Sequence, residues 1–315
     1  MYAEVRFLLP LVIIVGPTAV GKSTLGVELA KALDGEIVSG DSVQVYRGLD
    51  IGSAKTRLPE QQGIPHHLID RLEVDEPYSA AQFKEEALRL ITEIRDRGRV
   101  PIVVGGTGLY IRSLLDPYTF LESGSPRIRR AWEEYLRKQG KRMLHQALQA
   151  RDPETAARLH PNDVQRIIRA LEVYDLTGRS LSSQREFADN EYAALPDSVV
   201  YVGLTAPRDV LYQHINSRCE QMVRDGLIEE TLKLLQQGYS PTLKPLKSIG
   251  YRHAIWYLRG LVTKGEMLRL MQRDTRHFAK RQLTWFKRDP RLQWYNVAEI
   301  NWDTVLQALV KTCRV

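Results

Sequence analysis

The sequence predicts an α/β fold: a P-loop-containing parallel sheet core with helices on both faces, plus an inserted all-helical subdomain. Three observations carry this. Short β-rich runs alternate with helical stretches over the first 120 residues, an apolar run ends in a glycine-rich loop that opens a helix, and strands stop between about Phe120 and Ala194. Alternation of strand and helix argues for a parallel sheet, and continuous apolar strands fit a sheet covered on both faces.

The elements follow in order. Leu11–Val15 is an apolar run closed by glycine, Lys22–Leu33 reads as a helix, Asp34-Gly35 as a turn and Glu36–Ser39 as a short strand. Phe83, Ala87, Leu90, Ile91 and Ile94 recur at helical spacing within Ala80–Arg97, and Val100–Val104 is a further strand closed by Gly105-Gly106. Pro126–Leu148 and Asn162–Leu176 are helical with no strand between them, bounded by Ser123-Gly124-Ser125-Pro126 and Leu195-Pro196-Asp197. The chain therefore divides into a core of residues 1–120 and 195–315 and an insertion of residues 121–194. Ser198–Leu204 resumes the strands, Arg208 to about Arg224 is a long helix, and the remainder is mostly helical.

Composition narrows the function classes. The chain has 315 residues, 43% hydrophobic and 26% charged, which is globular rather than disordered. Leu8–Val15 is eight residues long and contains a proline, too short for ~30 Å of hydrocarbon and unlike a signal peptide, so no membrane partner is expected. Cys219 and Cys313 are the only cysteines, which excludes a disulfide framework and sets a cytoplasmic, reducing default; monomer is the default oligomeric state. Lys244–Arg291 holds 13 Lys/Arg against 3 Asp/Glu, a net of +10 in a chain of +7. Such regional basicity points either to a polyanion or to a solvated face.

The chemistry begins at Gly16-Pro17-Thr18-Ala19-Val20-Gly21-Lys22-Ser23, which matches G-x-x-x-x-G-K-[ST] between an apolar strand and a helix. Backbone N–H groups, the Lys22 charge and the helix N-terminus favour a di- or triphosphate, and the Ser23 hydroxyl suits Mg²⁺. An apolar strand ending in a metal-binding Asp is missing, since Val100–Val104 ends in Gly-Gly-Thr-Gly and His67-Leu-Ile-Asp70 is a poor substitute. Standard nucleotide hydrolysis is correspondingly disfavoured. Asp41, in Asp41-Ser42-Val43-Gln44 after the second strand, falls at the carboxyl edge of the sheet, where it either takes a proton from a nucleophile or caps the next turn. Gly105-Gly106-Thr107-Gly108 leaves the same edge and lets backbone approach a ligand, with Thr107 adding a hydroxyl. Gln165, Arg166 and Arg169 share adjacent helix faces, and Arg127, Arg129 and Arg130 open another basic helix; either group suits phosphate or solvent. Lys280-Arg281-Gln282-Leu283-Thr284-Trp285-Phe286-Lys287-Arg288 reads as a mixture of packed aromatics and nucleic-acid-facing cations.

Together these segments resemble the tRNA dimethylallyltransferase family, also called tRNA isopentenyltransferase, and its bacterial type most. The resemblance rests on GPTAVGKS, SGDSVQVYRGLDIGSAK, IPHHLID, GGTGLY, DVQRIIRALEV, MVRDGLIEE, KSIGYR and RHFAKRQLTWFKRD in that order. It implies transfer of a dimethylallyl group from dimethylallyl diphosphate to N6 of the adenosine just 3′ of the anticodon, with Mg²⁺ and release of diphosphate. By the same resemblance Asp41 is the general base and Thr107 lies near the reacting N6 and the diphosphate. Gly16–Ser23 cradle the diphosphate, with Ser23 near the metal. The tRNA contacts it implies are Asp41, Ser42, Val43, Gln44 and Thr107, Arg129, the run Gln165, Arg166, Ile167, Ile168 and Arg169, then Lys247 and Arg252, and Lys280, Arg281, Gln282, Trp285 and Lys287, with the insertion clasping the anticodon stem-loop. Three alternatives stand beside it: an adenylate isopentenyltransferase acting on free AMP, ADP or ATP, a small-molecule P-loop kinase, and an RNA-binding protein with a vestigial P-loop.

Overall fold

The computed structural model describes residues 9–116, 120, 124–183 and 198–313. Two compact units emerge, Met1–Pro117 with Tyr192–Val315, and Tyr118–Glu191. The boundary residues Ser123 and Leu195-Pro196-Asp197 lie outside the described residues.

The larger unit runs β1 (Leu11–Val15), α1 (Lys22–Leu33), β2 (Gly35–Gly40), α2 (Leu58–Gln61), β3 (His66–His67), α3 (Ala80–Asp96), β4 (Val100–Gly105) and α4 (Gly108–Leu115). The helical unit supplies α5 (Pro126–Arg151), α6 (Pro153–Arg158) and α7 (Val164–Thr177). The larger unit then resumes with β5 (Val199–Thr205), α8 (Arg208–Arg224), α9 (Leu227–Gln236), α10 (Tyr251–Leu258), α11 (Lys264–Phe286), β6 (Gln293–Asn296) and α12 (Trp302–Cys313).

The six strands pair in the order β3-β2-β4-β1-β5-β6, all parallel. Ile14 pairs with Val104 and Val202, which brings the carboxyl ends of β1, β4 and β5 level. Every residue of β1, β2 and β4 is buried, because both sheet faces are covered. The chain passes leftward from β1 to β2 and rightward from β3 to β4. Right-handed crossovers then place α1 and α3 on opposite faces and open a crevice at the strand ends between them.

Local chemistry explains the element ends. α3 starts at Ser79, whose hydroxyl accepts the Gln82 N–H, and buries Phe83, Ala87, Leu90, Ile91 and Ile94 against the sheet; the cap contributes about 1 kcal/mol. α1 ends at Asp34 in a left-handed conformation. Gly16 has φ 145°, and a Cβ there would lie 2.5 Å from the Leu204 carbonyl oxygen, so the loop can hug β5 only as glycine.

Two expectations are corrected, and the poor metal-strand candidate is accounted for. Pro126–Leu148 extends to Arg151 and is broken at Gly140, where φ is 81° and ψ 173°. The mostly helical C-terminal part also contributes the edge strand β6. The His67–Asp70 candidate is a two-residue strand, His66–His67, and Asp70 is spent on an ion pair with Lys55 at 2.5 Å. The helical unit has its own core of Trp132, Leu144, Leu148, Ala156, Ile167, Ile168, Ala170 and Leu171.

Candidate active site

The crevice at the strand ends contains a cavity of about 360 Å³. Four segments meet there. The loop after β1 supplies Thr18, Ala19, Lys22 and Ser23; the loop after β2 supplies Asp41 to Gln44; the end of β4 supplies Gly105 to Thr107; and α8 with α11 supplies the wall opposite. Asp41 and Thr107, separated by 66 positions in sequence, thus line one cavity with the P-loop.

The cations at the loop lack carboxylate partners. Lys22 is half-buried and its Nζ donates to the Pro17 carbonyl at 2.7 Å. Burial first, then the Arg218 charge, push its pKa down to about 7 against the opposing Asp41 carboxylate. Arg218, from α8, is held below its ordinary range by burial, with Cys219 and Asp41 acting the other way. Neither cation makes an ion pair among the described residues. Two positive groups crowded into a partly dry crevice are unfavourable unless an anion joins them. Arg218 is a cavity-lining cation that the sequence reading missed. Its signal was present: Leu211, Ile215, Arg218 and Met222 form one helical stripe, with a cation where the period calls for an apolar residue.

Asp41 caps the turn, one of its two readings. Oδ1 accepts the N–H groups of Val43 at 2.8 Å and Gln44 at 3.3 Å, which caps the turn and fixes the carboxylate's direction. Oδ2 makes no hydrogen bond among the described residues. Gln44 is held in turn: its Oε1 accepts the Ser39 hydroxyl at 3.0 Å, and its Nε2 donates to the carbonyls of Ser53 and Ala54 at 3.4 and 3.3 Å. Thr107 stands at the N-cap of α4 but its side chain makes no capping bond. Thr107 also lines the cavity. The wall from α8 and α11 mixes apolar side chains, Ile215, Cys219, Met222, Met271 and Phe278, with the polar Arg218, Thr275, Arg281 and Gln282.

Ser23 is exposed at the first turn of α1, beside Lys22. Among the described residues, no group of three or more His, Cys, Asp or Glu is placed to hold a metal. Mg²⁺ characteristically takes one or two protein ligands, several waters and substrate phosphates, so Ser23 with Asp41 on the same cavity suits it.

The residues expected at tRNA separate into three groups. Gln165, Arg166, Lys247, Lys280, Arg281 and Lys287 are exposed. Ser42, Val43, Gln44, Lys247, Arg252 and Arg281 line the cavity; the Arg252 guanidinium is also bonded to Asp274. The rest are corrected or constrained. Ile167 and Ile168 are 0% and 1% exposed in the core of the helical unit, so their side chains cannot touch tRNA. Gln282 is 6% exposed with both ends of its amide bonded internally. Trp285 is half-buried against Gly108, where a Cβ would lie 2.2 Å from its ring. Arg129 and Arg169 both point at the buried Glu172, at 3.7 and 3.0 Å.

Comparison with known proteins agrees with this geometry. Residues 44–289 match the family described as IPP transferase. A tRNA dimethylallyltransferase of Desulfitobacterium hafniense (strain Y51) is 62% identical over 304 residues, covering 96% of this chain and 97% of its own. One from Carboxydothermus hydrogenoformans is 48% identical over 95% of this chain and 96% of its own. Among solved structures, the full-length tRNA isopentenylpyrophosphate transferase of Bacillus halodurans superposes with a TM-score of 0.71 at 41% identity, over 97% of both chains. A eukaryotic dimethylallyltransferase acting on tRNA gives 0.75 at 29% identity, over 95% of this chain and 77% of that one. With a sheet, a phosphate loop and a carboxylate edge of one arrangement, and relatives matched almost end to end, this chain belongs to the IPP transferase family.

Proposed function

We propose that this protein transfers a dimethylallyl group from dimethylallyl diphosphate to N6 of the adenosine immediately 3′ of the anticodon in tRNA. The observation that carries the reading is the composition of this cavity: two cations with no ion pair among the described residues, one oriented carboxylate, and a cluster of apolar side chains from α8 and α11. A small-metabolite kinase needs the first two. A prenyl donor needs all three, since its head is an anion and its tail a hydrocarbon.

In the step, N6 forms a bond to the donor's C1 while the C1–O bond breaks, and diphosphate leaves with the electron pair. Lys22, Arg218 and the N-terminus of α1 stabilise the charge that gathers on the leaving oxygens. Asp41 accepts the N6 proton through the oxygen not committed to the Val43 and Gln44 amides; such proton transfer is worth about 10²–10⁴ in rate. Thr107 hydrogen-bonds beside the reacting nitrogen. Ser23 would hold Mg²⁺, which would supply further neutralisation of the diphosphate when bound. Ile215, Met222, Met271 and Phe278 enclose the five-carbon tail and keep water from the forming bond. The exposed cations Arg166, Lys280 and Lys287 contact phosphates and position the stem-loop. The target base leaves its stack to reach the crevice, which costs a few kcal/mol and least in a loop. The protein acts as a monomer in the cytoplasm.

Labelled dimethylallyl diphosphate offered with Mg²⁺ to unmodified tRNA or to free AMP and ATP tests this. Label is expected in tRNA, at the adenosine beside the anticodon. Label in free nucleotide alone would move the protein to the adenylate class, and label in neither would reject prenyl transfer.

A further inference from the structure

Gln282 sits in the buried stripe of α11, four residues before the fully buried Phe286 and seven after Thr275 on the cavity wall. A buried amide in an apolar stripe needs every hydrogen bond it can make. Its Oε1 accepts the backbone N–H of Thr18, inside the phosphate loop, at 2.9 Å. Its Nε2 donates to the carbonyl of Gly106, beside Thr107, at 3.0 Å. One side chain thereby bridges two loops that leave different strands. The fit is close: a Cβ on Gly106 would lie 2.2 Å from Nε2.

We infer that Gln282 is a positioning residue that locks the phosphate loop to the Gly106–Thr107 segment and so sets the gap between donor diphosphate and acceptor nitrogen. The inference rests on the prenyl-transfer reading. Both ends of its amide are taken up by protein backbone, so it acts through the loops it bonds. Its amide orients two segments that line the cavity, and the spacing between reacting groups is where small displacements are costly, about 10²-fold for roughly 1 Å.

The test measures three quantities on the full chain: the dissociation constant for inorganic diphosphate, kcat with the prenyl donor, and the dissociation constant for tRNA. Gln282→Met keeps the shape and removes both bonds. It is expected to weaken diphosphate binding and lower kcat by about tenfold or more each, with tRNA affinity within twofold. Gly106→Ala perturbs the same bridge from the other side with Gln282 intact, and it serves if Gln282→Met does not fold. It is expected to reproduce the losses, and to add little in a Gln282→Ala background. A glutamine that only stabilises the fold would lower the melting temperature and leave diphosphate affinity and kcat at wild-type values below it; that result overturns the inference. Weakened tRNA binding with unchanged kcat overturns it too, in favour of a nucleic-acid contact. An inactive wild-type protein would count against prenyl transfer, while the diphosphate measurement would still decide the bridge.

Discussion

The crevice and the helical unit use arginine and lysine in opposite ways. In the helical unit Arg129 and Arg169 converge on Glu172, which is 2% exposed, and the cluster closes on itself. In the crevice Lys22 and Arg218 make no ion pair among the described residues, each feels the Asp41 charge, and Lys22 is held at about 7. The first arrangement gives both arginines a buried carboxylate and ties α5 to α7. The second has no ion pair among the described residues, and the proposed diphosphate would supply one. Which cations serve the reaction is therefore read from what they lack, not from their number.

The comparison can be broken at several points. The largest effect is expected at Asp41. Asp41→Ala should lower turnover by about 10²–10⁴ while tRNA affinity stays within a few-fold, measured by single-turnover kinetics and filter binding. A rate within a few-fold of wild type would remove Asp41 as the base.

Lys22→Met or Arg218→Leu should weaken donor binding by about ten- to a hundredfold, the equivalent of losing one charge-assisted hydrogen bond. Unchanged affinity would place the donor elsewhere.

Glu172→Gln sharpens the comparison from the other side. It should destabilise the helical unit by on the order of 1–3 kcal/mol, discounted because both arginines are about a third or more exposed. Turnover at saturating tRNA should hold; a large loss of turnover with an unchanged melting curve would mean that Glu172 serves the reaction.

The smallest effect is expected at Arg166, exposed and paired only with Asp163 at 3.4 Å. Arg166→Ala should reduce the salt dependence of tRNA binding by about 0.7–0.9 in log–log slope. An unchanged slope would return Arg166 to the solvated surface.

Much of the sheet was legible because its strands are apolar throughout and its first helix is announced by the phosphate loop. The run Leu11–Val15 and the helix Lys22–Leu33 stand at the expected residues. The edge strand Gln293–Asn296 was not, since Gln-Trp-Tyr-Asn is half-exposed and carries no apolar run. At the site, a glycine-rich motif and a carboxylate after a strand are local signals, and Asp41 and Thr107 line the cavity as read. Arg218 and Gln282 are different: each is a polar residue on an otherwise buried helical stripe, and what it meets is set by an element far away in sequence. Ile167 and Ile168 show the converse error. They share a segment with exposed Gln165 and Arg166, but helical geometry turns them into the core.

The most direct test of the account is the proton balance of donor binding. An unreactive thiolodiphosphate analogue of the donor, titrated at pH 8 into the enzyme with tRNA present in buffers of different ionisation enthalpy, reports it calorimetrically. Lys22 is mostly neutral at that pH, and an anion beside it raises its pKa. Binding should therefore take up close to one proton, about 1 per donor, and weaken as pH rises above 7. The uptake should vanish in Lys22→Met. No proton uptake by the wild-type protein would contradict the claim that the crevice cations await the diphosphate.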